Sequence, residues 1–385
     1  MTGFFTSPKV AFGPGAIEQL SALEPQRIAI IRTAAVAPLD GPRRIEEFIR
    51  SLGVDLAVHT VRASPPTTAG AESLAADLGP SFDLLVALGG GGLLDLVKGA
   101  RARLARPDLP VSSWTPLTDF PAAGAPRLVA VPSTAGSGSE MTGSAQLLDP
   151  EGETLELTHR ALTPEWACLD PSLARSVPAG LAVAHGFEVV AHAVEALGAE
   201  GANPFSDAMA RDALSVAVTA LPRLARQPHD AEARSSLYYA AARGGLATSN
   251  ASLGLAHAMA RSLVPEVPKV GYAALLAIVL PVTVDYNFPS ARDRYESVVP
   301  AFPAPTGAVT SGFAERIRAF ARTLGLATEL RAVGFDEEAL HQRITVLVER
   351  ARRATATVAN PRIPTAGEMG RLFELAVGSS PGGSG

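Results

Sequence analysis

The stretch Asp83-Leu84-Leu85-Val86-Ala87-Leu88-Gly89-Gly90-Gly91-Gly92, followed by Leu93-Leu94-Asp95-Leu96-Val97-Lys98, decides the reading of the fold. Residues 83–88 read as a near-continuous apolar strand, the pattern of a strand buried on both faces. It opens into four glycines, and 93–103 then carry helical spacing. Working outward, 27–31, 54–61 (with alternating character) and 128–131 read as strands, and 43–51 and 69–78 as helices. Strands alternating with helices predict a parallel sheet wrapped by helices. After Asp170-Pro171 β-branched runs become rare, and 181–197, 204–226, 231–248 and 313–324 carry helical patterns. The expectation is an α/β domain over 1–171, an all-α helical domain over 172–377, and a disordered Gly/Ser tail over 378–385.

Composition narrows the function classes. The chain has 385 residues, 47% of them hydrophobic, enough apolar material for two buried cores. Lys+Arg of 33 against Asp+Glu of 38 leaves a net charge of −5 without long runs of like charge. No nucleic-acid footprint or membrane-seeking patch is visible, which points to a small-molecule partner. Cys168 is the only cysteine, so neither an intrachain disulfide nor a multi-cysteine zinc site can form. No segment approaches the roughly 18 uninterrupted apolar residues of a spanning helix, and the start lacks a signal-peptide pattern. The reading is a cytoplasmic protein.

Glycines between a buried strand and a helix let backbone amides approach an anion, and the helix N-terminus adds partial positive charge. The dinucleotide fingerprint G-x-G-x-x-G is absent in its usual form, and the Lys98 spacing fails for a P-loop. A second loop, Pro132-Ser133-Thr134-Ala135-Gly136-Ser137-Gly138-Ser139-Glu140-Met141-Thr142, follows another predicted strand and offers hydroxyl donors. Together these segments resemble the G-G-G-S-x-x-D-x-x-K and P-T-T-x-G-T-G-S-E-x-T segments of the iron-containing alcohol dehydrogenase family, with Gly92 in place of the serine. Phe12-Gly13-Pro14-Gly15, Asp170-Pro171 and Asn360-Pro361-Arg362 resemble further family landmarks, in the family's order. The resemblance implies a dinucleotide-binding N-terminal domain on the dehydroquinate synthase-like fold, a helical C-terminal domain, and hydride transfer between NAD(P)(H) and an alcohol/carbonyl pair in the cleft between them. It implies that Gly90, Gly91 and Gly92 hold the pyrophosphate, that Asp95 lies by the nicotinamide amide, and that Thr134, Ser137 and Ser139 line the nucleotide. Where the family often ends its first strand with an acidic residue, this chain has Thr33, preceded by Arg32. That favours NADP(H), because a carboxylate there would repel a 2′-phosphate, whereas Arg32 offers it a charge-assisted contact.

The same resemblance covers the second half. Gly186-Phe187-Glu188-Val189-Val190-Ala191-His192-Ala193-Val194-Glu195-Ala196 is similar to G-x-D-A-x-x-H-A-x-E-A, whose Asp and His bind the catalytic cation, and Glu188 and His192 share a helix face at i, i+4. Gly254-Leu255-Ala256-His257-Ala258-Met259-Ala260-Arg261 is similar to G-x-x-H-A-x-x-H and offers His257, with Arg261 in place of the second histidine. The family's fourth ligand is absent, because Val270-Gly271-Tyr272-Ala273 carries no histidine. Three outcomes stay open. Glu188, His192 and His257 hold iron or zinc with one open position. Alternatively Tyr272, His192 or Arg261 does the electrophile's work without metal, or the residues are packed polar groups without chemistry. Residues 191–197, Ala-His-Ala-Val-Glu-Ala-Leu, are also similar to the maleylacetate reductase branch, which lacks the aspartate.

The expected activity is NAD(P)H-dependent reduction of a small aldehyde or ketone, or the reverse oxidation, by a homodimer. The alternatives are a non-redox lyase or cyclase on the same fold and a catalytically silent binding homologue.

Overall fold

The computed structural model describes residues 3–6, 8–115, 118–121, 124–303 and 312–378; the Gly/Ser tail from 379 lies outside the described residues. The chain divides into two units, Phe5–Val177 and Pro178–Gly385, the latter joined by Met1–Phe4. The division falls a few residues beyond the change in sequence texture at Pro171. The cause is a short 3-10 turn, Pro171–Ala174, capped by the Asp170 carboxylate, which buries Leu173 in the same core as Ile45 and Ile49 of the first unit.

The first unit is built on strands β1 (Lys9–Phe12), β2 (Arg27–Thr33), β3 (Asp55–Val61), β4 (Leu84–Gly89), β5 (Arg127–Pro132) and β8 (Trp166–Leu169), all parallel, in the order β1-β8-β5-β4-β2-β3. Between β5 and β8 the chain inserts an antiparallel hairpin, β6 (Ser144–Leu148) and β7 (Thr154–Thr158). Helices α1 (Asp40–Ser51), α2 (Thr68–Leu78) and α3 (Gly91–Ala105) cover the sheet. Period-two alternation sends Ile28, Ile30, Val86 and Val129 to one core with Ile45 and Ile49 of α1. Ala29, Ile31, Leu85, Ala87 and Ala130 face the other, with Leu74, Leu78, Leu94 and Val97 of α2 and α3. Both faces are covered, and β4 is therefore buried at all six positions. The alternation expected for 54–61 is not realised: β3 is the edge strand, and its residues are half-buried or exposed with none buried. From β2 the chain runs outward to β3, then returns to the other side of β2 as β4, so its direction reverses between β2 and β4. Ligands of open α/β sheets bind at the carboxyl ends of the strands beside such a reversal.

The second unit is helical: α4 (Ala179–Gly198), α5 (Pro204–Arg226), α6 (Ala231–Ala251), α7 (Leu255–Leu263), α8 (Tyr272–Glu296), α9 (Phe313–Thr323), α10 (Glu337–Arg353), α11 (Thr355–Val358) and α12 (Ala366–Val377). From Phe187 to Gly198 every residue of α4 is buried, as expected of a helix surrounded by others. By length and composition α4 and α8 are apolar enough to cross a membrane, which reading for uninterrupted runs misses. In the fold 78% and 67% of those windows are buried against the rest of the protein, the situation of core helices.

Candidate active site

In the first unit the glycines are spent on close approach. Gly90 caps α3 in an extended conformation without a side-chain cap, so the helix begins at Gly91, two residues earlier than its apolar spacing suggests. The Gly91 and Gly92 amides have no backbone acceptor among the described residues and stay available to an anion, whereas those of Leu93 and Leu94 donate to the Gly90 carbonyl. A Cβ on Gly90 would meet Thr134, and one on Gly91 would collide with the Ser137 hydroxyl, so the glycine turn and the hydroxyl loop lie against each other. Gly92 faces elsewhere: a Cβ there would come within 2.5 Å of the Ala63 carbonyl oxygen. A serine at this position would force the Ala63 backbone or the start of α3 to move. Gly89 is registered with Pro132, Arg32 with Leu88 and Thr33 with Val61, which places Thr33, the glycines and the hydroxyl loop along one carboxyl edge of the sheet.

A buried lysine fastens this edge. Lys98 Nζ donates to the Ser139 carbonyl (2.7 Å), Ser139 Oγ (2.9 Å), Thr142 Oγ1 (3.1 Å) and the Ser144 carbonyl (2.8 Å). The Ser139 hydroxyl donates to Asp95 Oδ1 at 2.6 Å, and the Gln146 amide donates to Asp95 Oδ2 at 3.1 Å. Asp95 and Ser139 thus knit α3 to the 132–142 loop, while Thr134 and Ser137 face the glycine turn. Burial pulls the Lys98 amine down to about 8, against the attraction of Asp95 and Glu140, and pushes the Glu140 carboxyl up to about 7. Lys98 received no role from the sequence, because its partners lie more than forty residues away. Arg32, considered there for a 2′-phosphate, pairs instead with Glu46 of α1; the two side chains are only 17% and 15% exposed.

In the second unit the ligand atoms of Glu188 and His192 of α4 and His257 of α7 lie within 4.8 Å of one another, and all three residues are buried. The His192 and His257 rings stack at 4.7 Å between centroids, and the Tyr272 ring meets His257 edge-on at 6.0 Å. Glu195, one helical turn past His192, organises the cluster. Its Oε1 accepts from the Ala256 amide at 2.6 Å and the His257 amide at 3.3 Å, at the open N-terminus of α7, and its Oε2 pairs with His257 Nδ1. Burial alone would raise this carboxyl, yet His257 and the amides of Gly254 and Ala256 hold it below its ordinary value. The anionic carboxylate fixes the imidazole and leaves His257 Nε2 buried without a hydrogen-bond partner among the described residues. A carboxylate–histidine pair with the other nitrogen presented is how metal-ligating histidines are usually held.

Tyr272 opens α8 with its ring partly exposed and its hydroxyl oxygen buried. Burial pushes the phenol far above its ordinary value, against the neighbouring Arg261 guanidinium, with Glu188 and Glu195 pushing the same way as burial. Arg261 follows His257 by one turn of α7, so the charges of Arg261, Glu188 and Glu195 all reach one hydroxyl. The residues singled out in this half of the sequence are thus brought together, and Glu195, assigned no role there, completes them. The spacing 188, 192, 195 on one helix face was the available signal. Asn360 of the Asn-Pro-Arg landmark accepts from the Leu255 amide and exchanges hydrogen bonds with Asn287, and so supports the start of α7.

A doubly wound sheet with a glycine turn at its strand reversal, and a helical unit carrying a two-histidine, one-carboxylate cluster, define a nucleotide-dependent oxidoreductase class. Residues 7–171 match the family described as iron-containing alcohol dehydrogenase, and 182–377 match its C-terminal domain. The chain belongs to the iron-containing alcohol dehydrogenase family. It is 27% identical to the NAD-dependent methanol dehydrogenase of Bacillus methanolicus, over 98% of this chain and all of that one. To the NADPH-dependent butanol dehydrogenase of Clostridium saccharobutylicum it is 26% identical, over 96% and 97%. The solved iron-containing alcohol dehydrogenase of Thermococcus thioreducens superposes with a TM-score of 0.87 at 27% identity, over 97% and 99% of the two chains. The chain is an NAD(P)-dependent oxidoreductase acting on small molecules, and these relatives give no support to a lyase or cyclase.

Proposed function

We propose that the chain, as a cytoplasmic homodimer, reduces a small aldehyde or ketone with NADPH, or runs the reverse oxidation. The glycine turn and Thr134/Ser137 hold the nucleotide, and Tyr272 with Arg261 receives the charge that develops on the carbonyl oxygen. The convergence of the Glu188, His192 and His257 ligand atoms beside the Tyr272 hydroxyl carries this reading. NADP(H) follows from Thr33, which offers no charge against a 2′-phosphate.

The nucleotide, when bound, would supply a hydride to the carbonyl carbon, and the developing alkoxide is what the residues of this chain must stabilise and protonate. Because burial keeps the Tyr272 phenol protonated, it is a hydrogen-bond donor and proton source at neutral pH. Arg261 adds a fixed positive charge that offsets the resulting phenolate. Glu195 holds the His257 ring in one orientation.

The donor set fits a divalent cation, because His257 Nε2 is buried without a hydrogen-bond partner among the described residues while Nδ1 is anchored. Glu188, His192 and His257 would hold it, and when bound it supplies Lewis-acid polarisation of the substrate oxygen. Tyr272 and Arg261 perform their roles with or without it.

Tyr272→Phe keeps the ring against His257 and removes only the hydroxyl. Steady-state kinetics is expected to show kcat for aldehyde reduction lowered about a hundredfold, with the KM for NADPH unchanged. An unchanged kcat would remove Tyr272 from the mechanism.

A further inference from the structure

We infer that Arg62, rather than Arg32, is the residue that selects a 2′-phosphorylated adenosine ribose. The inference rests on the nucleotide reading above and names the side chain that discriminates within that site.

Arg32 is the nearer cation in sequence, but its guanidinium is committed to Glu46 of α1 in a largely buried pair, and freeing it would strand that carboxylate. Arg62 is placed differently. β2 and β3 run parallel with Thr33 registered on Val61, the last residue of β3, and Arg62 follows it directly. Neighbouring strands lie about 5 Å apart, so an arginine side chain at Arg62 is long enough to reach the space off the end of Thr33. Arg62 is exposed and has no ion-pair partner among the described residues. The chain leaving β2 is Ala34-Ala35, both exposed, and neither side chain fills that space.

The nearby acids are engaged elsewhere: Glu46 with Arg32, and Asp40 with Arg43. Among the described residues the end of β2 therefore presents a hydroxyl and a guanidinium without an ion-pair partner, beside the strand reversal where the adenosine half of a dinucleotide lies in doubly wound folds. Guanidinium recognises phosphate through paired, charge-assisted hydrogen bonds. The ligand chemistry is a ribose 2′-phosphate monoester.

Calorimetric titration of the full chain with NADPH, NADH, 2′,5′-ADP and ADP tests this without turnover. The unaltered protein is expected to bind NADPH roughly tenfold or more tighter than NADH, and 2′,5′-ADP similarly over ADP. Arg62→Ala should weaken NADPH and 2′,5′-ADP roughly tenfold while NADH and ADP stay within about twofold, and Arg62→Glu should reverse the preference. Equal or tighter NADH binding by the unaltered protein, or equal weakening of both nucleotides in Arg62→Ala, overturns the assignment to Arg62 and leaves the oxidoreductase reading standing. Absence of binding by all four compounds overturns both.

Discussion

Glu195→Gln is expected to lower kcat/KM for aldehyde reduction by about 10–100-fold while the protein stays folded. The amide still accepts from the Ala256 amide through its oxygen, so the N-terminus of α7 keeps its cap. What changes is the partner of His257 Nδ1: a carboxylate that accepts a proton becomes an NH2 group that offers one. The imidazole must then turn its tautomer or its ring, and Nε2 no longer presents the same lone pair to the cluster with Glu188 and His192. Elemental analysis gives the second readout, because a cation on His257 should be retained about 10–100-fold less well in the variant. Glu195→Ala is a harsher control. It leaves the Ala256 and His257 amides and the ring nitrogen without their buried acceptor, and about 2–4 kcal/mol of stability should be lost. Full activity and metal content in Glu195→Gln would show that the pairing is only structural.

Gly92→Ser installs the residue that the family pattern carries, and is expected to damage this protein. The new Cβ would sit 2.5 Å from the Ala63 carbonyl oxygen, a backbone atom that cannot rotate away, so the start of α3 or the chain just after β3 must shift. Overpacking of this kind costs about 1–3 kcal/mol. The displaced turn is the one proposed to hold the nucleotide, so NADPH affinity should fall more than tenfold, read by titration alongside thermal unfolding. Unchanged binding and stability would mean that the turn is not held against Ala63 as described.

These two positions also show where sequence reasoning reaches and where it stops. The strand–glycine–helix unit was legible because burial on both faces leaves an uninterrupted apolar run, and Glu188 with His192 was legible because helical periodicity puts i and i+4 together. Glu195 lay in the same quoted helix but had no role, since its partner is 62 residues away and only packing brings them together. Lys98 was likewise quoted in a motif while its four acceptors lay in the 132–142 loop and at the start of β6. The pairing of Arg32 with Glu46 depends on α1 lying against β2, which no local pattern encodes. The hairpin Ser144–Leu148 and Thr154–Thr158 went unread because its strands are short and lie outside the parallel rhythm.

The central claim is that this chain moves a hydride from a reduced nicotinamide to a carbonyl carbon. NADPH carrying deuterium at both nicotinamide C4 positions, supplied to the purified protein with a panel of short aldehydes, tests it by mass spectrometry of the product. The account predicts an alcohol carrying one deuterium at the carbinol carbon, formed in step with nicotinamide oxidation; an unlabelled product, or one formed without nucleotide consumption, would contradict it.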